Sequence, residues 1–594
     1  MLKKLIFTTL LALTPITLAV AGENIAKSFS QEFDLESPNL DLGDAELGFK
    51  LFNQNKEGRV HYIGQRESHI YDYIIVGNGT AGAALANKLT SNHNYKVLVI
   101  EAGANRSLDP IINTAAFDLN TITYDPRYAV TYTTPPFATA PTGQVYTYTE
   151  GRMWGGGSGH HYLSYVRGSP EIYDEWAAAS GNSQWAYANI LPTLKSLETY
   201  TSNGSPINLA ERGTTGPVFS TQQTSILANP LTAAIQTAFN IPYVEDYNDA
   251  TESAIGVSQR QLFVTPDNTT RSWAVSAYLA PGVVVDEDGK GLGGRKLTIV
   301  SNSFVNKIIW KGNTAVGVEF VEAGSEQKAV KVYAKKEIIL AAGAINSPAI
   351  LQRSGVGDQA LLESLDIPVV FANSNVGANM KNHYGTIAYI TGSTPQVLIG
   401  FTDMNPYMPS DGERRYQLFA QNVGGQVRVQ GWNLNPQSTG NVQIVSKSAL
   451  TQPKINFNFY SDGNFSTPGT DAYEAISFFK LAADTAAEIG ATVTSPNSTQ
   501  YASDALLFAA AQGGTVPPNL GNSLNFVITS HMVGTTRMGT SPANGVVDGN
   551  LNVMGVDNVK VIDIGVQPRI ADGNTCVGAY VLGLKAYDII IAGN

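Results

Sequence analysis

The sequence predicts an α/β fold, and three observations carry that prediction. In YDYIIVGNGTAGAALANKLT, Tyr71 to Thr90, an apolar strand runs straight into a glycine-rich turn and a helical pattern. A second apolar strand, YKVLVIEAGA from Tyr95 to Ala104, follows it and closes on an acid, so that the pair makes a βαβ unit of about 30 residues. Of 594 residues 43% are hydrophobic and only 15% charged, with 57 glycines, which suits a large, loop-rich enzyme and not a disordered, fibrous or coiled-coil chain. The length allows two or more domains, or one with large insertions, and a core that buries most of the apolar surface. A formal charge of -11 without a basic stripe argues against a nucleic-acid partner.

In chain order, the first 21 residues read as an export signal: Lys3 and Lys4, an apolar run from Leu5 to Val20, and Ala19-Val20-Ala21 as a small-residue cleavage site. The expectation is a secreted or periplasmic protein cut after Ala21. A membrane anchor is the weaker reading, because the run is short, contains Pro15 and is followed by polar sequence, and no other stretch is apolar enough to span a bilayer. Residues 22–70 are polar and aperiodic, an arm on the surface. After the βαβ unit come helix-like stretches at Glu171–Ala179 and Ile190–Thr199, strand-like alternation over Lys296–Val321, and KKEIILAAGAINSPAILQRSGVG from Lys335 to Gly357. Between 366 and 525 lie further strands (YQLFAQNV, VQIVSKS, KINFNFY) and a helix over Ala472–Ile489; 526–594 closes with a strand in VKVIDIGVQP, a loop and a C-terminal helix. Cys576 is the only cysteine, which excludes an intrachain disulfide, CxxC chemistry and a thiolate zinc site.

Gly77, Gly79 and Gly82 form GxGxxG at the strand-to-helix turn, with Glu101 at the end of the next strand. Such glycines permit a tight turn and close backbone approach, so a pyrophosphate sits on the N-terminus of the helix that Thr80 and Ala81 begin, while the carboxylate accepts from ribose hydroxyls. The combination predicts a dinucleotide and leaves NAD and FAD both open.

Three further segments speak to that choice. GRMWGGGSGHHYLSYVRG, Gly151 to Gly168, resembles the first signature of the glucose-methanol-choline (GMC) oxidoreductases. GAINSPAILQRSGVG, Gly343 to Gly357, fits the second signature, and HMVGTTRMG, His531 to Gly539, with VVDGNLNVMGVDNVKVIDIGVQP after it, resembles the C-terminal block. The resemblance covers the chain from about residue 71 to its end, in the family's order. It implies a Rossmann-like FAD-binding domain over 71–365 carrying substrate-domain insertions, an interleaved α+β substrate domain on an antiparallel sheet over 366–525, and a return to the FAD domain over 526–594. It also implies oxidation of a small-molecule alcohol by hydride transfer to the flavin, with oxygen or another acceptor restoring it.

By the same resemblance His531 is the base facing the flavin and Asn574 its partner, an arrangement in which an imidazole removes the hydroxyl proton and a second polar group holds the alkoxide. Thr575 follows Asn574 at the flavin; Asp563 contacts the ribityl and pyrophosphate region, or caps a turn; Val305 pairs its backbone with adenine. Gly156 belongs to the GG pair against the flavin. His160, four places after it, stands where choline oxidases and pyranose oxidases carry a histidine bonded covalently to the flavin; a bond and simple packing on the ring are both open. His161 replaces a common asparagine, which leaves its role open between donating to the flavin or phosphate and lining the cavity, while Gly157 and Gly159, in place of serines, are expected to bring backbone N–H groups to the cofactor. A metal site at His160-His161 lacks further ligands and is not expected. Cys576 reads as a small buried residue beside the site. Hydroxynitrile lyase activity on the same fold, with FAD kept but not turned over, is the alternative function, although the HisMetValGlyThr turn and Asn574 resemble oxidases more. Light-driven fatty-acid decarboxylation would need a cysteine in the substrate domain.

Overall fold

Val97–Ile100 reads VLVI and is buried at all four positions, the pattern of a strand covered on both faces. The computed structural model describes residues 69–115, 119–134, 146–323, 329–392, 398–402, 413–512 and 525–593. The expected export signal and arm lie outside these, apart from His69 and Ile70. Among the described residues no helix is long and apolar enough to cross a membrane.

The VLVI strand belongs to a sheet of seven described strands ordered Ser303–Lys311, Thr314–Glu322, Ala329–Leu340, Ile70–Val76, Val97–Ile100, Leu297–Val300, with Val559–Val561 beside Ala329–Leu340. Its centre is parallel: Val76 lies opposite both Leu340 and Ile100, Ile100 opposite Val300, and Leu340 opposite Val561. That register brings the chain exits at Gly77, Glu101, Ala341 and Asp563 to one carboxyl edge, the place where open α/β sheets bind ligands. Ala329–Leu340 serves two purposes, since its first residues pair antiparallel with Thr314–Glu322 and its last ones parallel with the centre. The helix Thr80–Thr90 follows the glycine turn and packs on the C-terminal helix Cys576–Ala592, so closely that a Cβ on Gly583 would lie 2.5 Å from the Ala81 carbonyl oxygen.

A second sheet of seven described strands is antiparallel throughout, in the order Val493–Ser495, Tyr384–Thr391, Gln426–Asn433, Tyr416–Val423, Leu398–Thr402, Gly256–Gln259, with Phe526–Ile528 also on Tyr384–Thr391. Five of its strands come from 366–525; Gly256–Gln259 and Phe526–Ile528 come from the segments on either side. Side chains alternate across a strand, and here the alternation separates two environments. Leu418, Ala420, Val427 and Val429 join the core under the helix Asp471–Glu488, whose Phe478 ring fills the space a Cβ on Gly431 would occupy. Phe419, Gln421, Arg428, Gln430 and Trp432 point the other way, into a cavity.

Local expectations differ in three places. The helix expected over Ile190–Thr199 runs Tyr187–Leu197, and its last residues turn into a strand, Glu198–Thr201, pairing with Val218–Gln222. VQIVSKS and KINFNFY shrink to the three-residue strands Asn441–Gln443 and Lys454–Asn456, which pair only with each other. A β-favouring composition extends a strand only as far as a partner runs beside it.

Gly82 carries the tightest demand in the glycine motif, for a Cβ there would lie 2.1 Å from the Gly77 carbonyl oxygen, a backbone atom with no freedom to swing away. Gly82→Ala is expected to cost about 1–3 kcal/mol, read as a lower midpoint in chemical denaturation; an unchanged midpoint would refute the tight helix-to-turn contact.

Candidate active site

A cavity of about 860 Å³ lies between the carboxyl edge of the parallel sheet and the open face of the antiparallel one. Gly77, Gly79, Thr80, Ala81, Glu101, Gly156, His160, His161, Val305, His531, Asp563, Asn574 and Thr575, the residues singled out from the sequence, all line it.

At the sheet edge, two carboxylates hold the loops. Glu101 accepts from the Asn78 and Gly103 backbone N–H groups, each at 2.7 Å, and burial raises its pKa. Asp563 accepts from Gly343 N (3.0 Å), Gly565 N (2.9 Å) and the Ser347 hydroxyl, and burial pushes it up to about 6. It therefore caps the 3-10 turn Ile564–Val566 and lines the cavity as well. The Val305 carbonyl accepts from Arg353 at 3.3 Å. Gly77 has φ +102° and would drive a Cβ to 2.4 Å from the Ala341 oxygen, so only glycine makes this turn. Around the same edge a Cβ on Gly157 or Gly343 would meet nothing within 4 Å, and both amide atoms of the buried Asn78 side chain lack a protein partner. Open backbone, unpartnered polar atoms and a helix N-terminus fit an anionic dinucleotide such as FAD.

The glycine stretch folds into one helical turn, Gly157–His160, after positive φ at Gly155 and Gly156. Gly159 departs from expectation: its face packs on Met153 and Trp273, so its missing side chain serves the core and not the cofactor. The two histidines diverge. His160 is buried, hydrogen-bonds the Thr123 backbone and leaves Nε2 without a partner. Nδ1 therefore donates and Nε2 keeps its lone pair, consistent with a pKa lowered by burial to about 4. In His161 the Leu163 N–H donates to Nδ1 at 3.0 Å, while Arg271 donates to the carbonyl at 2.9 Å and the ring lies 4.8 Å from that of Phe263. Its proton is on Nε2, a buried donor with no protein partner. Adjacent residues thus offer opposite groups, a lone pair and an N–H.

His531 lies within a hydrogen-bonded chain that the sequence does not reveal. Gln417 Nε2 donates to Asn574 Oδ1 at 2.9 Å, which turns the Asn574 amide nitrogen to His531 Nε2 at 3.3 Å. An amide N–H needs an acceptor, so Nε2 holds the lone pair and the ring proton sits on Nδ1, directed at His383 Nδ1 3.0 Å away. The rings of His383 and Trp432 stand edge-on to His531, at 5.2 and 5.3 Å between centroids. Burial lowers the His531 pKa to about 3 and that of His383 well below the usual range, so both are neutral. His383, Gln417 and Trp432 were not foreseen; nothing in NMKNHYG sets His383 apart from the other histidines before folding. Cys576 packs against the core and lines the cavity as well, its thiol pushed up to about 12 by burial.

The GMC oxidoreductase family matches residues 71–385 with its N-terminal part and 436–583 with its C-terminal part. An uncharacterized GMC-type oxidoreductase of Mycobacterium tuberculosis is 28% identical over 570 residues, 87% of this chain and 99% of the relative. The oxygen-dependent choline dehydrogenase of Citrobacter koseri is 28% identical over 582 residues, 88% of this chain and 95% of that enzyme. Among solved structures, pyridoxine 4-oxidase from Mesorbium loti superimposes with a TM-score of 0.72 at 24% identity, covering 87% of this chain and 98% of the other. The Aspergillus oryzae formate oxidase superimposes with 0.75 at 21% identity, covering 89% and 99%. With most of its length matched in two blocks, and a dinucleotide edge facing an antiparallel sheet, the chain belongs to the GMC oxidoreductases, FAD-dependent enzymes of the CH–OH group.

Proposed function

We propose that this chain is an exported alcohol oxidoreductase in which His531 is the general base. The observation that carries the proposal is the chain Gln417–Asn574–His531–His383, which leaves the basic Nε2 of a neutral imidazole on the cavity side. FAD, when bound, supplies the two-electron acceptor for the hydride leaving the alcohol carbon. The other contributions come from the protein. His531 takes the hydroxyl proton at Nε2 once the substrate oxygen takes the place of the Asn574 N–H on that lone pair. The second N–H of the Asn574 amide points to the oxygen as it gains alkoxide character, and Gln417 holds that amide in orientation. His383 and Trp432 fix the imidazole in position and tautomer, and burial keeps water from competing for the base. His160, through its unpartnered Nε2, and His161, through its Nε2–H, would help hold the cofactor. The export reading is supported by the first 21 residues alone. A lyase reading is not favoured by relatives named as oxidoreductase, dehydrogenase and oxidase.

Anaerobic addition of primary alcohols, sugars, aromatic alcohols and sterols to the holoenzyme is expected to bleach the flavin, and admitting air then separates an oxidase from a dehydrogenase. His531→Ala should lower kcat/KM by about a hundred- to ten-thousandfold with FAD retained. No bleaching with any alcohol, together with cyanide release from mandelonitrile, would replace the oxidoreductase by the lyase.

A base acts only when unprotonated, so activity is present above its pKa and lost as pH falls through it. With His531 held near 3 by burial, kcat/KM at pH 5 should lie within about twofold of its value at pH 7. An acid limb at the ordinary histidine pKa would mean that His531 titrates in water and is not the buried base described.

Acid precipitation reports on His160. Yellow colour retained in the pellet, and released in His160→Ala, marks a covalent bond; colour in the supernatant from both proteins marks packing alone.

A further inference from the structure

The open face of the antiparallel sheet is a graded row. Antiparallel register sets Gln417 opposite Trp432, Phe419 opposite Gln430 and Gln421 opposite Arg428. The first of these pairs meets the catalytic end, Gln417 through Asn574 and Trp432 through the His531 ring. Arg428 lies four residues along the strand from Trp432, roughly 13 Å away at 3.3 Å per residue. A second guanidinium converges on that far end. Arg260 Nη2 donates to the Tyr162 carbonyl at 3.0 Å and to Ser164 Oγ at 2.9 Å, and its Cζ lies 5.8 Å from the Phe419 ring centroid. Tyr162, 48% exposed, marks the mouth.

Both arginines line the cavity, and the Nε of each is buried with no hydrogen-bond partner. Among the described residues neither forms an ion pair. The carboxylates that line the cavity are engaged elsewhere: Glu101 and Asp563 with loop N–H groups, Glu150 with the Tyr148 hydroxyl at 3.0 Å. Arg152 and Arg353 line the cavity as well; at the far end two guanidiniums without a counter-charge are costly, and guanidinium forks match a carboxylate bidentately. Between the two ends stand the apolar Phe419 and the uncharged Gln430, with Leu163 also on the cavity wall and Val527 level with Trp432.

We infer that Arg260 and Arg428 form an anion subsite, and that the substrate is an alcohol bearing a carboxylate about 10 Å from its reacting carbon across an apolar spacer. The inference rests on the alcohol-oxidation reading above. It runs against a cationic substrate, because a quaternary ammonium alcohol such as choline would meet two like charges at the mouth.

The test uses the holoenzyme and two non-oxidisable ligands of equal length, decanoate and decanamide, followed by perturbation of the flavin spectrum. Decanoate is expected to bind at least tenfold more tightly, with the preference lost in Arg260→Gln/Arg428→Gln and kept in Arg428→Lys. In turnover, ω-hydroxydecanoate should exceed n-decanol in kcat/KM by about tenfold through KM, and choline should not bleach the flavin. Equal binding of the two ligands by the wild-type enzyme, a preference that survives in the double glutamine variant, or bleaching by choline as fast as by ω-hydroxydecanoate would each overturn the subsite. Because the binding comparison needs no turnover and no variant, it is decided separately from the oxidation reading. Tight decanoate binding without bleaching by any alcohol would leave the subsite standing and remove the oxidase. Bleaching by neutral alcohols with no carboxylate preference would do the reverse.

Discussion

Backbone N–H groups that emerge from the carboxyl edge of a parallel sheet have no next strand to bond, and the site depends on how this chain satisfies them. Two buried carboxylates do so: Glu101 takes the N–H groups of Asn78 and Gly103, Asp563 those of Gly343 and Gly565. Each therefore ties loops from separate strands into one rim. A carboxylate buried this way is expensive unless hydrogen-bonded, and the cost appears as pKa values pushed up by burial at both residues. Both carboxylates also line the cavity, so the groups that shape the loops form part of its wall.

Above this rim stands the antiparallel sheet, one face packed in a core and the other lining the cavity. One is sealed by the helix Asp471–Glu488, with Gly431 giving up its side chain to Phe478 and with Tyr384 and Tyr416 bonded to the helix acids Asp471 and Glu474. That seal makes the sheet stiff enough for its other face to place polar groups accurately. Gln417 is the hinge between the two parts of the molecule, since it stands on the sheet and orients Asn574 just before the C-terminal helix. His531 follows the strand Phe526–Ile528 on the same sheet and receives that amide. His531 is thus held from both domains, and its tautomer is a property of their docking.

Legibility in the sequence followed the range of the interaction. Gly77, Gly79, Gly82 and Glu101 could be read because a βαβ unit is local and its demands fall on residues within one unit: a positive φ at Gly77, a close approach at Gly82, an acid at the next strand's end. His531, Asn574, Asp563 and Val305 came from likeness to a family, and all four line the cavity. Of the antiparallel face, by contrast, the sequence marks YQLFAQNV as a strand but not Gln426–Asn433, and Arg260, Phe419, Arg428 and Trp432 carry no sign of facing one space. Gly159 was misjudged for the same reason, because its neighbours Met153 and Trp273 are a matter of packing. For His161 the sequence leaves donation and simple lining both open, and the structure adds the tautomer, which the Leu163 N–H sets.

By itself the sequence determined the order of the elements, the dinucleotide turn and the family, since hydrophobic period, glycine conformation and motif spacing act over a few residues and survive in a linear text. Only the tertiary structure decided which nitrogen of each histidine carries the proton and which polar groups share a cavity. His383, Gln417, His531 and Asn574 are separated by up to 191 residues, and a hydrogen bond has a direction that depends on both partners at once. No single residue holds that information before the two sheets meet.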